Sequence, residues 1–361
     1  MTGNRKQRSL SIRNYILDNI DDNPQHISAQ TAKHFGISRQ AVNKHISFLV
    51  DNGLVEFEGI TRNRSYSLKV ILKNNRTLKV AGLEEDKVWR EHIRPYLKDV
   101  PENVIALCQY GFTEMVNNVI DHSGSDDVHV AIERTARDIK MWVNDDGVGI
   151  FNKIYTELNL DDPLHAILEL SKGKLTTDPE HHTGEGVFFA SRMFDKFAIL
   201  SGNYYFSYRG RKDEIDGKDW FLEDKEENIK GTAIIMKINQ NSSRTTKEVF
   251  DYYTSKGDEI GFSKTHVPVF LAQYGDENLV SRSQAKRLIA RFERFEEIVL
   301  DFEKVETIGQ AFADEIFRVF QFKHPSVELI PININEQVSK MINKARQDLR
   351  DQLLNLKKAS N

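Results

Sequence analysis

The stretch that decides the fold is residues 108–123, CQYGFTEMVNNVIDHS. Its apolar residues recur at helical spacing, and Glu114, Asn118 and His122 follow one another at intervals of four residues. On a helix this spacing aligns a carboxylate, an amide and an imidazole along one stripe. Burying such a stripe without partners is costly. The segment therefore predicts a helix whose polar stripe faces a polar ligand or a metal ion.

Three glycine-bearing segments follow this helix along the chain. Residues 140–150, KMWVNDDGVGI, predict a buried strand that ends in Asp145 and two alternating glycines. Residues 181–195, HHTGEGVFFASRMFD, place two glycines directly before a helix, where the backbone can approach a phosphate closely. Residues 230–238, KGTAIIMKI, predict a strand that opens with a Gly-Thr pair. Each segment is weak evidence alone, but the four together and in this order are specific.

In that order the segments resemble the N box, G1 box, G2 box and closing Gly-Thr of the GHKL superfamily, which includes histidine kinases, gyrase-type ATPases and anti-sigma serine kinases. The resemblance covers residues 85–240, and the form EMVNNVIDH is most similar to the anti-sigma kinase and histidine kinase versions. It implies an α/β sandwich, in which a mixed sheet is backed by helices. It also implies that ATP and Mg²⁺ are the cofactors.

The resemblance assigns roles residue by residue. It implies that Asn118 holds Mg²⁺, that Asp145 accepts a hydrogen bond from the adenine amino group, and that Glu114 stands at the general-base position. Glu114 has a second interpretation, since the same position can serve structure and metal organisation without turnover. For His122 the resemblance leaves two roles open, a contact with the nucleotide and a structural hydrogen bond beneath it, and the structural role is favoured. The remaining cofactor-binding residues that it implies are Gly147, Gly149, Gly184, Glu185, Gly186 and Thr232.

Residues 151–183 have the length expected of an ATP lid between the G1 and G2 boxes. A cation and hydroxyl groups there would offset the charge of the phosphates, although a solvated loop is an equal alternative. A zinc site at His181 and His182 is disfavoured, because no further ligand pattern accompanies them. The candidate phosphate contacts are Lys172, Lys174, Thr176, Thr177 and Thr183.

Residues 1–80 predict a DNA-binding domain. Residues 26–55, HISAQTAKHFGISRQAVNKHISFLVDNGLV, predict a short helix, a turn through Gly36 and a longer helix capped by Ser38. This order is typical of a helix-turn-helix motif. Two short alternating runs with a basic turn between them follow, as in a hairpin. The whole is similar to the winged-helix families of bacterial regulators. A three-helix module that binds protein is the alternative.

Charge supports the DNA interpretation. Residues 1–80 carry 13 basic and 6 acidic side chains, whereas the remaining chain carries 37 and 48. A basic segment in an otherwise acidic chain indicates a polyanionic partner for that segment alone. The second helix is expected to enter the major groove and the hairpin turn to contact phosphate or minor groove. The candidate DNA contacts are Ser38, Arg39, Gln40, Asn43 and Lys44 on the helix, with Arg62 and Arg64 in the turn.

Residues 262–361 predict a third, small α/β domain. Strand-like and helical runs alternate there, which indicates a small parallel or mixed sheet with crossover helices. Residues 296–320, EEIVLDFEKVETIGQAFADEIFRVF, look like a STAS domain, the fold of anti-sigma-factor antagonists. Where those antagonists carry a phosphorylated serine, this chain has Gly309 and Gln310. The STAS-like domain is therefore expected to bind a protein partner rather than to accept phosphate.

Composition limits the remaining classes. The single cysteine, Cys108, excludes an intrachain disulfide framework, and no apolar run is long enough for a membrane span or a secretory signal. We therefore expect a cytoplasmic protein without membrane contact. The charged terminal segment, residues 341–361, predicts a helix that is either solvated, which is favoured, or in contact with a second chain in a homodimer.

The sequence thus predicts a multidomain α/β (α+β) protein with a winged helix, a GHKL sandwich and a STAS-like domain. The favoured function is a transcriptional regulator whose bound Mg-ATP switches its binding to DNA or to a partner. The alternatives are an anti-sigma-type serine/threonine kinase that acts on a partner protein, and an ATPase.

Overall fold

The computed structural model describes residues 2–60, 63–162, 164–175, 184–210, 217–222, 228–254, 262–273 and 278–359. This part of the chain forms three units, built on sheets of two, seven and three strands. The mixed α/β, multidomain class predicted from the sequence is confirmed. No helix within the described ranges combines the length and the apolar character that crossing a membrane requires.

The N-terminal unit is a three-helix cluster with an antiparallel hairpin. Its core consists of apolar residues from all three helices, closed by Val55 and Leu68 where the two hairpin strands pair. Gly36 ends the second helix at φ 62°, and the Ser38 hydroxyl caps the third by accepting a hydrogen bond from the amide of Ala41. The elements are α1 (Thr2–Asn19), α2 (Ile27–Phe35), α3 (Arg39–Asp51), β1 (Val55–Glu58) and β2 (Ser65–Leu68).

The central unit is a seven-stranded sheet with helices packed on one face. Its strands are β3 (Leu72–Lys79), β4 (Asp127–Arg134), β5 (Asp138–Asp145), β6 (Lys196–Gly202), β7 (Tyr204–Gly210), β8 (Gly217–Leu222) and β9 (Ile229–Asn239), in the order β3-β4-β5-β9-β6-β7-β8. Its helices are α4 (Glu85–Val88), α5 (Glu102–Asn118), α6 (Ile150–Glu157), α7 (Leu164–Lys172), α8 (Gly186–Met193) and α9 (Thr246–Tyr253). All described strand pairings of this sheet are antiparallel, so the mixed sheet implied by the resemblance is corrected.

The boundary predicted at residue 80 is also wrong. Strand β3 pairs with β4 along its whole length, which makes residues 72–79 part of the central sheet rather than of the N-terminal unit. The strand lies at the edge, and its sequence LKNNRTLK carries mostly polar, exposed side chains. An edge strand of this kind lacks the apolar alternation by which a strand is assigned to a core.

The C-terminal unit is a three-stranded parallel sheet with crossover helices, as the alternating pattern predicts. The register pairs β10 with β11 and β11 with β12, and the connecting helices cover the sheet. The elements are β10 (Lys264–Pro268), α10 (Arg282–Ile289), β11 (Glu297–Asp301), α11 (Gln310–Asp314), α12 (Gln321–Lys323), β12 (Glu328–Ile332) and α13 (Glu336–Ala359).

One apolar core runs through the central and C-terminal units. Phe262, just before β10, lies 4.4 Å between ring centroids from Phe188 of α8, and Tyr253 of α9 joins the same aromatic cluster. The N-terminal unit has a separate core and meets the central sheet through polar contacts. Asp18 of α1 pairs with Arg137 at 3.2 Å, and Asp21 pairs with Lys237 at 3.4 Å.

Candidate functional site

A cleft opens where the end of α5, the turn after β5 and the start of α8 meet. Its empty volume is about 1050 Å³ when the open mouth is included. The structure therefore brings together side chains from Glu114 to Ile234, which are 120 positions apart in the sequence. The predicted site residues that line it are Glu114, Asn118, His122, Asp145, Gly149, Gly184, Gly186 and Thr232.

Asn118 presents an unsatisfied amide to this cleft. It is the last residue of α5, where the helix widens into a π-helical turn over Val119–Ser123. The Nδ2 atom of Asn118 is buried and makes no hydrogen bond within the described structure. A buried polar atom without a partner costs about 1 to 3 kcal/mol. The amide is therefore suited to a ligand, with its oxygen turned toward a metal ion or its nitrogen toward an acceptor.

Asp145 places a buried carboxylate at the inner end of the cleft. Its Oδ1 accepts a hydrogen bond from the amide of Gly147 at 2.8 Å, and burial raises the pKa of the carboxyl group against the opposing effect of its backbone donors. Gly147 does not line the cleft but shapes this turn, because a Cβ there would lie 2.0 Å from the carbonyl oxygen of Ser123. The amide of Thr232 on β9 is a second backbone donor to this carboxylate.

The turn after β5 is fixed against β9. The amide of Ile150 donates to the hydroxyl of Thr232 at 3.0 Å, and Gly149 adopts φ 80°, which favours glycine. A Cβ at Gly231 would lie 2.1 Å from the carbonyl oxygen of Asp145. The closing Gly-Thr pair therefore positions the glycine turn, and Thr232 also lines the cleft.

Glu114 reaches the first residue of α8. A Cβ at Gly186 would lie 2.1 Å from Oε2 of Glu114, so a larger residue there would displace the end of this side chain. Glu185 precedes it, and burial raises the pKa of its side chain while Lys174 opposes the shift. Burial, Glu114 and Glu185 together raise the pKa of the Tyr110 phenol. Two carboxylates at the start of a helix require a cation if an anion is to bind there, which suits a divalent metal ion.

Lys153 is a lining residue that sequence reasoning missed. Its ammonium lies 3.4 Å from Nδ1 of His122, 3.3 Å from the His122 carbonyl oxygen and 3.6 Å from Glu157. Lys153 follows Gly149 by one helical turn, and this spacing could have predicted that its side chain faces the cleft. His122 thus lines the cleft and contacts a cation at the same time.

The predicted phosphate contacts of the lid are corrected at two positions. Lys172 is fully buried on α7, where it bonds Oε1 of Glu169 at 2.6 Å and the carbonyl oxygens of Arg287 and Ala290. Lys174 donates to the carbonyl oxygen of Arg294 at 2.8 Å. Both ammonium groups therefore hold the C-terminal unit and do not line the cleft.

The remaining lid predictions fall on residues 176–183. Thr176, Thr177, Thr183, His181 and His182 lie outside the described residues. The two ends of this segment meet, because the amide of Leu175 donates to the carbonyl oxygen of Gly184 at 3.0 Å.

The predicted DNA contacts form an exposed surface of the N-terminal unit. Asn43 accepts a hydrogen bond from the Ser28 hydroxyl at 2.8 Å, and Arg64 stacks on the Phe57 ring at 4.3 Å. Arg62 lies outside the described residues. The exposed residues at the start of α3 are Ser38, Arg39, Gln40, Asn43 and Lys44.

Comparison with known proteins assigns the C-terminal unit. Residues 284–339 match the family described as STAS-like domain of unknown function (DUF4325). The match runs from α10 into the start of α13, and so includes β11, β12 and the helix that begins after Gly309. The STAS-like prediction for this unit is confirmed. No curated protein matches the chain significantly.

Proposed function

We propose that the central unit is a GHKL-type domain that binds Mg-ATP in the cleft. The observation that carries the proposal is the convergence of Glu114, Asn118 and Asp145 with the glycine turns at Gly149 and Gly186 in one cleft. These residues come from separate segments, and nothing in their linear order requires them to share a cavity.

The chemistry of these groups fits the ligand. Asp145 is positioned to accept a hydrogen bond from the adenine amino group, and Asn118 to offer its amide oxygen to Mg²⁺, an ion that prefers oxygen ligands. Gly184 and Gly186 bring backbone amides to the start of α8, where anions are stabilised. Lys153 adds the cationic side chain that the cleft needs against a triphosphate.

Calorimetric titration with ATP tests this proposal. We expect Asp145→Asn to weaken ATP binding in Mg²⁺ far more than it weakens binding of inorganic tripolyphosphate, because the carboxylate accepts a hydrogen bond from the adenine amino group, which tripolyphosphate lacks. Asp146→Asn is the matched control, since this neighbouring aspartate is exposed and does not line the cleft. Equal losses for ATP and tripolyphosphate would assign Asp145 a structural role, and a wild-type protein that binds no ATP would refute the proposal.

We propose further that the protein is a DNA-binding regulator, with ATP in the cleft altering how the N-terminal unit engages DNA or a partner. The exposure of all five predicted contacts at the start of α3 supports this proposal, as does the excess of basic residues over acidic ones in residues 1–80. The STAS-like unit supplies a surface for a protein partner within the same chain.

An enzymatic function is the second candidate, and the position of Glu114 favours it. Its carboxylate lies against the start of α8, where a general base could act on a nucleophile near the phosphates. Incubation with γ-labelled ATP and Mg²⁺ separates the cases. Free phosphate identifies an ATPase, label on a serine or threonine identifies a protein kinase, and intact retained ATP identifies a binding switch.

A further inference from the structure

The carboxyl end of α7 is capped by side chains of the C-terminal unit. The last carbonyl oxygens of a helix have no partner within the helix, so other groups must satisfy them. Here Nη2 of Arg291 donates to the carbonyl oxygen of Glu169 at 3.1 Å, and the hydroxyl of Thr265 donates to that of Lys172 at 2.7 Å. Thr265 lies on β10, and Arg291 lies in the turn between α10 and β11. The end of a helix of the central unit therefore depends on donors from the C-terminal unit.

Arg291 makes the largest share of these contacts. Besides the carbonyl oxygen of Glu169, its guanidinium bonds the carboxylate of Glu169 and the carbonyl oxygen of Lys174, the latter at 3.0 Å. A planar guanidinium offers several donors in a fixed geometry, which suits it to bonding backbone and carboxylate together. Its positive charge also interacts favourably with the carboxyl end of the helix dipole. The side chain of Arg291 thus fixes both the end of α7 and the first residues after it.

The segment that Arg291 holds forms one wall of the cleft. Leu170, in the last turn of α7, and Leu175, three residues after the helix ends, both line the cleft. The amide of Leu175 donates to the carbonyl oxygen of Gly184, which lines the cleft just before α8. The position of this wall therefore depends on contacts made by the C-terminal unit.

Lys174 connects the same contacts to the start of α8. Its ammonium donates to the carbonyl oxygen of Arg294 at 2.8 Å and lies 4.9 Å from the ring centroid of Phe295. It is also close enough to Glu185 to oppose the rise that burial causes in the pKa of that carboxyl group. Glu185 directly precedes α8, where the proposed function places the phosphates. The wall therefore adjoins the phosphate side of the cleft, whereas Asp145 belongs to the turn after β5.

We propose that Arg291 is a positioning residue for nucleotide binding, through which the C-terminal unit sets the wall on the phosphate side of the cleft. The inference rests on the Mg-ATP-binding function proposed above and extends it, because the C-terminal unit becomes part of the nucleotide site. It also supplies a means of regulation. A protein partner that displaces the turn between α10 and β11 changes the affinity of the cleft for phosphates.

The test measures the affinity of the full-length protein in Mg²⁺ for ATP, inorganic tripolyphosphate and adenosine, by competition against a fluorescent ATP analogue. The test variant is Arg291→Gln. We expect it to weaken binding of ATP and of tripolyphosphate by the same factor, about 5-fold or more, and to leave adenosine affinity unchanged. This pattern is the reverse of the one expected for Asp145→Asn, which affects ATP far more than tripolyphosphate.

Two further variants control for charge and for folding. Arg282→Gln removes the same charge from an exposed position on α10, and it should match wild type for all three ligands. Thermal unfolding checks that each variant is folded. If Arg291→Gln does not fold, Arg291→Lys takes its place, since a lysine keeps the positive charge beside Glu169 but cannot bond both backbone carbonyl oxygens as well. It should show the same pattern with a smaller factor.

The outcomes separate this inference from the proposed function. A folded Arg291 variant with wild-type affinity for ATP and tripolyphosphate overturns the inference and leaves the Mg-ATP-binding function standing. An equal loss for adenosine and ATP also overturns it, because the substitution would then act on the whole cleft rather than on its phosphate side. A wild-type protein that binds no ATP overturns both.

Discussion

At the scale of single residues, two side chains of the cleft are placed at a cost to the stability of the fold. Asn118 has a buried amide atom without a partner, and burial raises the pKa of Asp145. Both features cost stability in the ligand-free protein. Sites that carry such costs are characteristic of function rather than of packing.

The orphaned amide gives the first prediction. Asn118→Ala should weaken ATP binding in Mg²⁺ by about 10-fold or more, because a metal ligand is lost. Its unfolding free energy should remain equal to that of wild type or rise, since a buried unsatisfied group is removed. Calorimetry and chemical denaturation measure the two effects. Asn117→Ala on the same helix is the control, and a folded Asn118→Ala protein with wild-type ATP affinity would contradict the assignment.

The contact between Gly186 and Glu114 gives the second prediction. Gly186→Ala should displace the Glu114 carboxylate and weaken Mg-ATP binding, while destabilising the fold by no more than about 1 kcal/mol, because the end of a glutamate side chain can rotate away. Adding Gly186→Ala to Glu114→Ala should then have little further effect on affinity. If instead the two losses add in full, the alanine acts on the ligand directly and not through Glu114.

Sequence reasoning brought together residues whose arrangement depends on local spacing. Glu114, Asn118 and His122 were predicted from one helical stripe, and all three line the cleft. It failed for Lys172, because the phosphate role was inferred from position between two glycine boxes. A lysine that faces a neighbouring unit has the same local sequence pattern as one that faces a ligand.

At the scale of elements, α7 connects the cleft to the C-terminal unit. Leu170 of this helix lines the cleft, while Glu169 and Lys172 are bonded to residues of the C-terminal unit. Arg291 pairs with Glu169 and also donates to the carbonyl oxygen of Lys174 at 3.0 Å. The helix is therefore held by a buried network of charges rather than by apolar packing alone.

Lys172 gives the third prediction. Lys172→Met should lower the unfolding free energy at neutral pH by about 1 to 3 kcal/mol, because the carbonyl oxygens of Arg287 and Ala290 lose their donor. Chemical denaturation of both proteins measures this loss. The control is Lys323→Met, an exposed lysine whose loss should change the unfolding free energy by less than about 0.5 kcal/mol.

The loss should also depend on pH. Burial lowers the pKa of Lys172 to about 8 from 10.5, so between these values the unfolded chain binds a proton that the folded chain does not. Stability then rises with pH. Wild type should therefore gain stability relative to Lys172→Met between about pH 8 and about pH 10. A constant difference would mean that the pKa of Lys172 is the same in the folded and unfolded protein, and a difference that shrinks would mean that the ion pair with Glu169 outweighs burial.

The elements that the sequence did not predict share one property. The assignment of β3 to the central sheet and the antiparallel pairing of that sheet both depend on partners far away in the chain. Helices α3 and α5 were predicted correctly, because their caps and apolar periodicity are local. Strand pairing depends on residues that are distant in the sequence. The sequence of an edge strand with few apolar residues gives little indication of which strand it pairs with.

At the scale of the whole molecule, the N-terminal unit is expected to read DNA through α3. Arg39→Ala should cost about 1 to 3 kcal/mol in discrimination between operator and random DNA if Arg39 contacts a base edge. Arg64→Ala should weaken binding to both DNAs equally, since its place in the hairpin turn suits a phosphate contact. Competition titrations with the two DNAs distinguish these patterns. If Arg39→Ala weakened binding to operator and random DNA equally, Arg39 would not contact a base edge.

The three units are in direct contact, so a ligand bound to one unit can change the binding properties of another. The central and C-terminal units share one core, and the N-terminal unit contacts the central sheet through Asp18 and Asp21. Binding of ATP that alters the position of these contacts would change the free energy of DNA binding. By linkage, DNA would then change ATP affinity by the same factor.

The most direct measurement of this account is a set of DNA titrations of the full-length protein with no nucleotide, with ADP and with a non-hydrolysable ATP analogue, all in Mg²⁺. The account predicts that the ATP analogue shifts DNA affinity by about 5-fold or more relative to the nucleotide-free protein, and that DNA shifts the affinity for the analogue by the same factor. Asp145→Asn should remove the shift without removing DNA binding. Three superimposable DNA titrations, with the analogue bound, would contradict the account and leave the kinase as the better proposal.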